Sequence, residues 1–206
     1  MNKAQTKRIW SSVGLNNPAF FELDKSKKIK NYFDLLSFPL IVKPISEGSS
    51  LGVVRVEKYN QLENAIEEAY TFGEKIIIEK FIKGRELTCG LLNLNSCNEI
   101  TTLPIVEIIA PKGNYNFHNK YIGSETEYIC PALIPSETEA KIKEISLKAF
   151  SILGCKDWGR VDFILDELNV PYLLEVNTVP GMTNHSLVPM AASKFGLSFD
   201  ELVLCI

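Results

Sequence analysis

From Trp158 to Asn177 the chain reads WGRVDFILDELNVPYLLEVN, two runs of alternating apolar and polar residues on either side of a short acidic turn. That pattern predicts two antiparallel strands, Trp158 to Leu165 and Pro171 to Val176, joined as a hairpin. Opposed residues in such a ladder have a constant index sum, and a turn centred between Leu168 and Asn169 sets it at 337. Asp162 then faces Glu175, and Arg160 faces Asn177. Because side chains alternate, these four share one face while Val161, Phe163, Leu174 and Val176 share the other. One face is a core surface and the other is charged.

Opposed side chains have Cβ atoms about 5 Å apart, near enough for two carboxylates to share a cation. Asp162, Glu175 and the amide oxygen of Asn177 are hard ligands of the kind Mg²⁺ takes when phosphates and water complete its octahedron. The same residues also suit a surface hairpin in which Arg160 makes a solvated ion pair with a carboxylate. The alternation is compatible with both.

Upstream, Ser136 to Glu139 has the form of a capping box, and Ile142, Ile145, Ala149, Ile152 and Leu153 carry an apolar stripe to Gly154. Ala110 to Tyr128 has no clear period and is expected to be a long loop, the kind that often forms a lid. Strands are expected at Lys75 to Phe81, Glu86 to Leu94 and Glu99 to Ile108. Leu62, Ala65, Ile66, Ala69 and Tyr70 predict a helix between Lys58 and Phe72, closed by Gly73. Leu40 to Lys43, ended by Pro44, and Gly52 to Val56 make a second hairpin with a polar tip. Asn2 caps a first helix through about Val13, followed by an extended piece from Ala19 to Leu23 and a short helix around Asn31 to Ser37. Beyond Asn177 a glycine-bearing loop leads to helical Ser186 to Phe195 and a last helix from Ser198. The order suits an α+β fold of helices on mostly antiparallel sheets.

Three further stretches carry chemical potential. The tip from Ile45 to Gly52, ISEGSSLG, offers hydroxyls and backbone N–H groups that could cradle phosphate, as well as the makings of an ordinary polar turn. No Gly-Lys-Ser follows and a strand resumes, so it is not a Walker motif. Lys43 interrupts an apolar strand and requires an anion nearby. The run from Ile76 to Ile82, IIIEKFI, provides apolar walls for an adenine and a carboxylate for ribose hydroxyls, or a core strand with a charged end. Glu86 fits the ribose role or that of an edge-strand charge.

The 206 residues are 46% hydrophobic and 23% charged, which excludes a disordered chain. A net charge of −3, with basic residues scattered apart from Lys25, Lys27, Lys28 and Lys30, gives no footprint for nucleic acid. The longest apolar runs fall short of the roughly 18 residues of a membrane span, and the basic N-terminus is not followed by a signal-peptide core, so a cytoplasmic protein is expected. Five cysteines without a C-x-x-C pair are expected to be buried free thiols. His118 and His185 have no evident catalytic partner, and no G-x-S-x-G motif supports a Ser-His hydrolase. Trp10 and Trp158 are expected to pack.

The motifs Met1-Asn-Lys3, Ile41-Val-Lys-Pro44, Glu47-Gly-Ser-Ser50, Ile78-Glu-Lys80, Lys120-Tyr121, Glu125-Thr126, Gly159-Arg-Val-Asp162, Leu174-Glu-Val-Asn177 and Pro180-Gly-Met-Thr-Asn-His-Ser-Leu-Val-Pro189 occur in this order. In this combination the chain resembles the D-alanine-D-alanine ligases of the ATP-grasp superfamily, from Met1 almost to its last residue. The resemblance implies an ATP-grasp fold, nucleotide held between two α+β domains, residues 1–100 and 101–206, and ligation of two D-alanines through an acyl phosphate for peptidoglycan. It implies Lys3, Lys43, Ser50 and Lys120 on phosphates, and Glu79, Lys80, Phe81, Ile82 and Glu86 around adenine and ribose. Asp162, Glu175 and Asn177 would bind two Mg²⁺, with Mn²⁺ as a substitute. Arg160 and the Gly181 N–H would stabilise an oxyanion, Ser186 and Leu187 would receive the second D-alanine carboxylate, and Ser49 and Tyr121 would work with a glutamate of a further domain. A Tyr at 121 goes with D-alanine rather than D-lactate as second substrate.

The run Asn114-Tyr-Asn-Phe-His-Asn119 departs from the aromatic and acidic residues usual before Lys120. The resemblance places another domain before the position of Met1, so the chain is expected to correspond to the central and C-terminal domains alone. Two other readings stand beside the ligase, a partner-dependent or non-catalytic nucleotide-binding fragment and another ATP-grasp carboxylate-amine ligase. A homodimer is compatible with the resemblance.

Overall fold

The computed structural model describes residues 2–26, 36–94, 99–111 and 125–206. They fall into two compact units, one of Met1–Arg8, Pro18–Ile82 and Ala110–Thr126, the other of Ile9–Asn17, Lys83–Ile109 and Glu127–Ile206. The division expected at residue 100 lies inside the second unit. The reason is β5 (Gly84–Asn93), which pairs from Gly84 to Leu92 with β9 (Trp158–Asp166) far along the chain.

The first unit is a four-stranded antiparallel sheet in the order β1-β4-β2-β3, built from Phe20–Asp24, Lys75–Lys80, Leu40–Pro44 and Val54–Val56. Alternation gives the sheet two different faces. Leu40, Val42, Ile76 and Ile78 join Leu62, Ala65, Ile66 and Ala69 of α2 (Leu62–Tyr70) in one apolar cluster. Ile77 of β4 and Ile45, just after β2, pack on Ala4 of α1 (Lys3–Ser12), with Phe20 beside them. Helix α1 starts where expected because Asn2 Oδ1 accepts the Gln5 N–H at 2.9 Å, and Gly14, at φ +75°, lies just past its end. The expected helix around Asn31 to Ser37 falls largely outside the described residues.

The second unit is a six-stranded antiparallel sheet that adds β6 (Ile100–Thr102), β7 (Val106–Ile109), β8 (Glu127–Ile129) and β10 (Pro171–Asn177) in the order β10-β9-β5-β7-β8, with β6 also on β5. Helix α3 (Ser136–Ser151) covers the face bearing Leu87, Cys89, Val161 and Phe163, and Trp10 completes that core with its Nε1–H donating to the Ala149 carbonyl at 3.0 Å. Three expectations are corrected here. The strand expected from Glu99 to Ile108 is two, β6 (Ile100–Thr102) and β7 (Val106–Ile109), interrupted around Pro104, which cannot donate to a ladder. Part of the expected long loop is a strand, β8 (Glu127–Ile129), paired with β7. Pro135 rather than Ser136 occupies the N-cap of α3, and the capping box there does not form. A capping box does form at Ser198 and Glu201, ahead of α5 (Phe199–Leu204).

The β9–β10 hairpin (β10, Pro171–Asn177) turns through Glu167, Leu168 and Asn169. Asn169 takes φ +59°, and Asp166 Oδ1 accepts the N–H groups of Leu168 and Val170 at 2.9 and 2.8 Å. Near the turn the ladder pairs Leu173 with Phe163. Beyond a bulge between Leu173 and Glu175 it pairs Glu175 with Asp162 and Asn177 with Arg160. The expected register therefore holds at the charged end only. Leu173, not Leu174, is the buried leucine, because the extra residue reverses the alternation on one side of the bulge. The four described cysteines are free as expected, but only Cys89 is buried, while Cys130, Cys155 and Cys205 are half-buried; Cys97 lies outside the described residues. Among the described residues no helix is long and apolar enough to cross a membrane.

Candidate functional site

In the second unit, alternation places Arg160 and Asp162 of β9, Glu175 and Asn177 of β10, and Glu86 and Thr88 of β5 on one sheet face, opposite the face under α3. The Arg160 guanidinium grips Asp162 in bidentate fashion, Nε to Oδ1 at 2.7 Å and Nη2 to Oδ2 at 2.9 Å. Thr88 Oγ1 donates to Oδ1 at 2.7 Å and Asn177 Nδ2 to Oδ2 at 2.9 Å. A carboxylate has about four lone-pair sites, so the described donors engage all of them. This ion pair is not the solvated one considered above, since the Asp162 and Arg160 side chains are only 12% and 16% exposed. Glu175 and Glu86 are half-buried on the same face. Among the described residues no three Asp, Glu, His or Cys side chains gather as a metal-holding group. Across β9 and β10, where Asp162 opposes Glu175, the face presents two carboxylates and the Asn177 amide, with Glu86 on β5.

Two glycines fit this arrangement tightly. A Cβ on Gly159 would lie 2.5 Å from the Phe150 ring and 2.9 Å from the Asn177 carbonyl oxygen, so only glycine lets β9 approach β10 beside Arg160. Gly181 lies next to Ser186, whose Oγ is 3.0 Å from the position of a Gly181 Cβ. Ser186 is the N-cap of α4 (Leu187–Phe195), and its Oγ accepts the Thr183 N–H at 3.0 Å. The N–H groups of Leu187 and Val188 open the helix, where no preceding turn can accept them. Pro189 and Met190 follow, the latter donating to the Ser186 carbonyl at 3.0 Å.

In the first unit, the loop after β2 is shaped by three left-handed residues, Ser49 (φ +52°), Ser50 (φ +58°) and Gly52 (φ +66°). Positive φ at both Ser49 and Ser50, with the Leu51 N–H donating to the Gly48 carbonyl at 3.1 Å, is the form of a type I′ turn. Serine rarely adopts φ > 0, and such departures gather at functional loops. The Lys3 ammonium donates to the Glu47 carbonyl in this loop.

Lys43 finds its anion in the neighbouring strand. Its ammonium donates to Glu79 Oε1, and Glu79 Oε2 is 3.2 Å from the ammonium of Lys7, a lysine of α1 that is fully buried. Burial alone would raise the Glu79 pKa, but the two ammonium groups outweigh it and hold the carboxyl below its ordinary value. Lys7 was not among the residues singled out in the sequence. Its spacing of i+4 from Lys3 was the available signal, since the two share a helix face with Ala4 between them. Lys80 is exposed, while Phe81 and Ile82 are half-buried. Phe81 receives the Arg55 guanidinium 3.9 Å from its ring centroid, and its N–H donates to the Pro39 carbonyl at 3.0 Å. Lys120 and Tyr121 lie outside the described residues.

Comparison with known proteins places these features in company. Residues 9–206 match the family model described as D-ala D-ala ligase C-terminus. Proteins named D-alanine--D-alanine ligase from Bordetella petrii and Bordetella avium are 44% and 47% identical over all 206 residues, and the chain spans 63% and 64% of their lengths. A crystal structure of D-alanine--D-alanine ligase from Bacillus anthracis complexed with ATP is 30% identical with a TM-score of 0.84, covering 100% of this chain and 64% of its own. The VanG D-Ala:D-Ser ligase from Enterococcus faecalis is 30% identical with a TM-score of 0.88, covering 100% of this chain and 62% of its own.

Proposed function

The chain belongs to the D-ala D-ala ligase C-terminus family, and from that premise we propose that it forms the nucleotide- and metal-binding part of an ATP-dependent ligase joining two D-alanines. One observation carries the reading: the register that sets Asp162 against Glu175 and Arg160 against Asn177 on one sheet face. Mg²⁺ bound with ATP cancels phosphate charge and keeps the reacting groups in line. Asp162, Glu175 and Asn177 are the residues that would hold it, as two ions, with Mn²⁺ as a substitute. Their hard oxygens suit such a cation. Because the acceptor sites of Asp162 are engaged, Asn177 would have to give up its donation to Asp162 and turn its amide oxygen inward for these residues to hold a cation.

Arg160 is held by Asp162 and so is positioned, with the Gly181 N–H, for negative charge developing on an attacked carbonyl. Ser186 and the N–H groups opening α4 suit the carboxylate of the second D-alanine, because a helix N-terminus favours an anion. Lys3, Lys43, Ser50 and Lys120 are assigned to phosphates, with Ser49 and Tyr121 beside the first D-alanine. Lys80, Phe81, Ile82 and Glu86 are assigned to adenine and ribose, and the apolar character of Phe81 and Ile82 supports that role. Glu79 bears on the nucleotide from within its strand. D-alanine is the small-molecule partner, the cytoplasm the setting and peptidoglycan synthesis the use.

The test is a thermal-shift titration of the 206-residue chain with ATP and Mg²⁺, alongside product analysis with D-alanine by mass. Mg-ATP should raise the melting temperature, and Glu175→Gln should remove most of the rise. An equal rise in the variant would sink the metal assignment, and no rise in the unaltered chain would sink the nucleotide reading. Binding without phosphate release in the presence of D-alanine would favour the partner-dependent fragment, and release with other amines another carboxylate-amine ligase.

A further inference from the structure

Lys7 has no role in the reading above, yet it is the most deeply buried charged residue described, at 0% exposure, against 2% for Glu79 and 8% for Lys43. A buried ammonium is retained only where an anion and a defined geometry hold it. Here the anion is Glu79, gripped through Oε2 by Lys7 at 3.2 Å and through Oε1 by Lys43. Glu79 pairs with Ile41 in the ladder and Lys43 with Ile77, so the Lys43–Glu79 contact is a diagonal one across β2 and β4, within reach of long side chains. Nothing in that diagonal fixes the rotamers at its two ends. A second cation 3.2 Å from the far oxygen does so, by leaving the carboxylate one orientation in which each oxygen faces an ammonium group.

The same helix acts twice. Lys3 and Lys7 are one turn apart on α1, stacked on either side of Ala4, which packs on Ile45 and Ile77. Lys3 ties down the Glu47 carbonyl at the start of the serine loop, and Lys7 ties down Glu79. A shift of α1 would therefore disturb the loop and the Lys43–Glu79 pair together.

We infer that Lys7 is a positioning residue for nucleotide binding: by fixing the Glu79 carboxylate it fixes the Lys43 ammonium that meets the nucleotide. The inference rests on the nucleotide reading of the preceding subsection. Lys7 itself touches no phosphate in this account. It acts through Glu79, and that separates it from a residue that merely stabilises the sheet.

The experiment measures Mg-ATP affinity by calorimetry for the 206-residue chain and its K7M, K7R, E79Q and K7M/E79Q variants, with circular dichroism to verify folding. K7M should weaken binding roughly tenfold, mid-range for coupling within one ion network. K7R, which keeps the charge, should recover most of the affinity. K7M/E79Q should bind no more weakly than E79Q alone, because once Glu79 is neutral there is nothing for Lys7 to orient. Affinity in folded K7M equal to that of the unaltered chain would overturn the inference while leaving the nucleotide reading intact. Losses that multiply in the double variant would overturn it too. Should K7M fail to fold, the comparison of K7M/E79Q with E79Q decides by the same criterion. An unaltered chain that does not bind Mg-ATP would overturn the nucleotide reading and this inference with it.

Discussion

Replacing Glu79 by glutamine changes one oxygen for an NH₂ group and leaves the shape of the side chain almost unaltered, so its effect reports charge. Glu79 is 2% exposed, and in the variant the ammonium groups of Lys7 and Lys43 face a neutral amide, at a site where both lysines are themselves buried. Removing one partner from a buried ion network typically costs about 3–5 kcal/mol. For a chain of this size about 2–4 °C of melting temperature accompanies each kcal/mol, which places the expected drop at about 6–20 °C near pH 7. The sign of the pH dependence gives an independent check. In the unaltered protein the Glu79 pKa is depressed on folding, so its stabilisation is complete above the unfolded carboxyl value, about 4.3, and is lost as pH falls through the folded value. Glu79→Gln has no carboxyl to titrate at this site, so its deficit should narrow as pH falls below the unfolded value of about 4.3. Melting curves of both proteins at pH 7 and in acid measure this. A variant melting within about 2 °C of the unaltered chain at pH 7, with the same difference in acid, would show that the charge of Glu79 does not hold the two lysines.

Gly159→Ala should destabilise the protein by about 1–3 kcal/mol, the usual cost of overpacking, because the added carbon meets the buried Phe150 ring at 2.5 Å and the Asn177 carbonyl at 2.9 Å. Urea denaturation measures it, and a change below about 0.5 kcal/mol would mean the strands part without strain. Burial pushes the Cys89 thiol up to about 11, and the thiolate is the reacting species, so Cys89 should resist a disulfide reagent at pH 8 until the protein unfolds. The half-buried Cys130 and Cys155 should react first. Peptide mapping that finds native Cys89 labelled as fast as these two would contradict the burial argument.

How much of this was legible in the chain depends on which kind of order wrote it. Strand alternation is a strict period of two, so Arg160, Asp162, Glu175 and Asn177 could be assigned to one face without any knowledge of the fold. The choice between Leu173 and Leu174 could not, because a bulge is decided by how both strands pack and leaves no mark in an apolar pair. Lys43 announced its need for an anion, but its partner Glu79 belongs to a strand some 36 residues away, and only the sheet order β4-β2 brings the two together. Lys7 was hidden more thoroughly. A lysine in an amphipathic helix ordinarily faces water, and only the burial of Ala4 and Lys7 shows that this turn of α1 faces inward. The type I′ turn at Ser49 and Ser50 was equally hidden, since neither residue has a strong preference for positive φ.

The bulge at Leu174 also separates two jobs that one hairpin would otherwise have to share. On its turn side the ladder answers to the loop Glu167–Asn169, whose Leu168 is 83% exposed. On its far side the pairing of Asp162 with Glu175 obeys a register of its own. Lengthening or grafting the loop alters the first part and is absorbed before reaching the second. Removing the single residue Leu174 would close the bulge into a continuous ladder in which Leu173 still faces Phe163 and Glu175 still faces Asp162, so each side chain would keep its face but the turn and the charged end would be rigidly coupled. The extra residue works as a joint that lets the hairpin's turn end shift while the register of its charged end stays still.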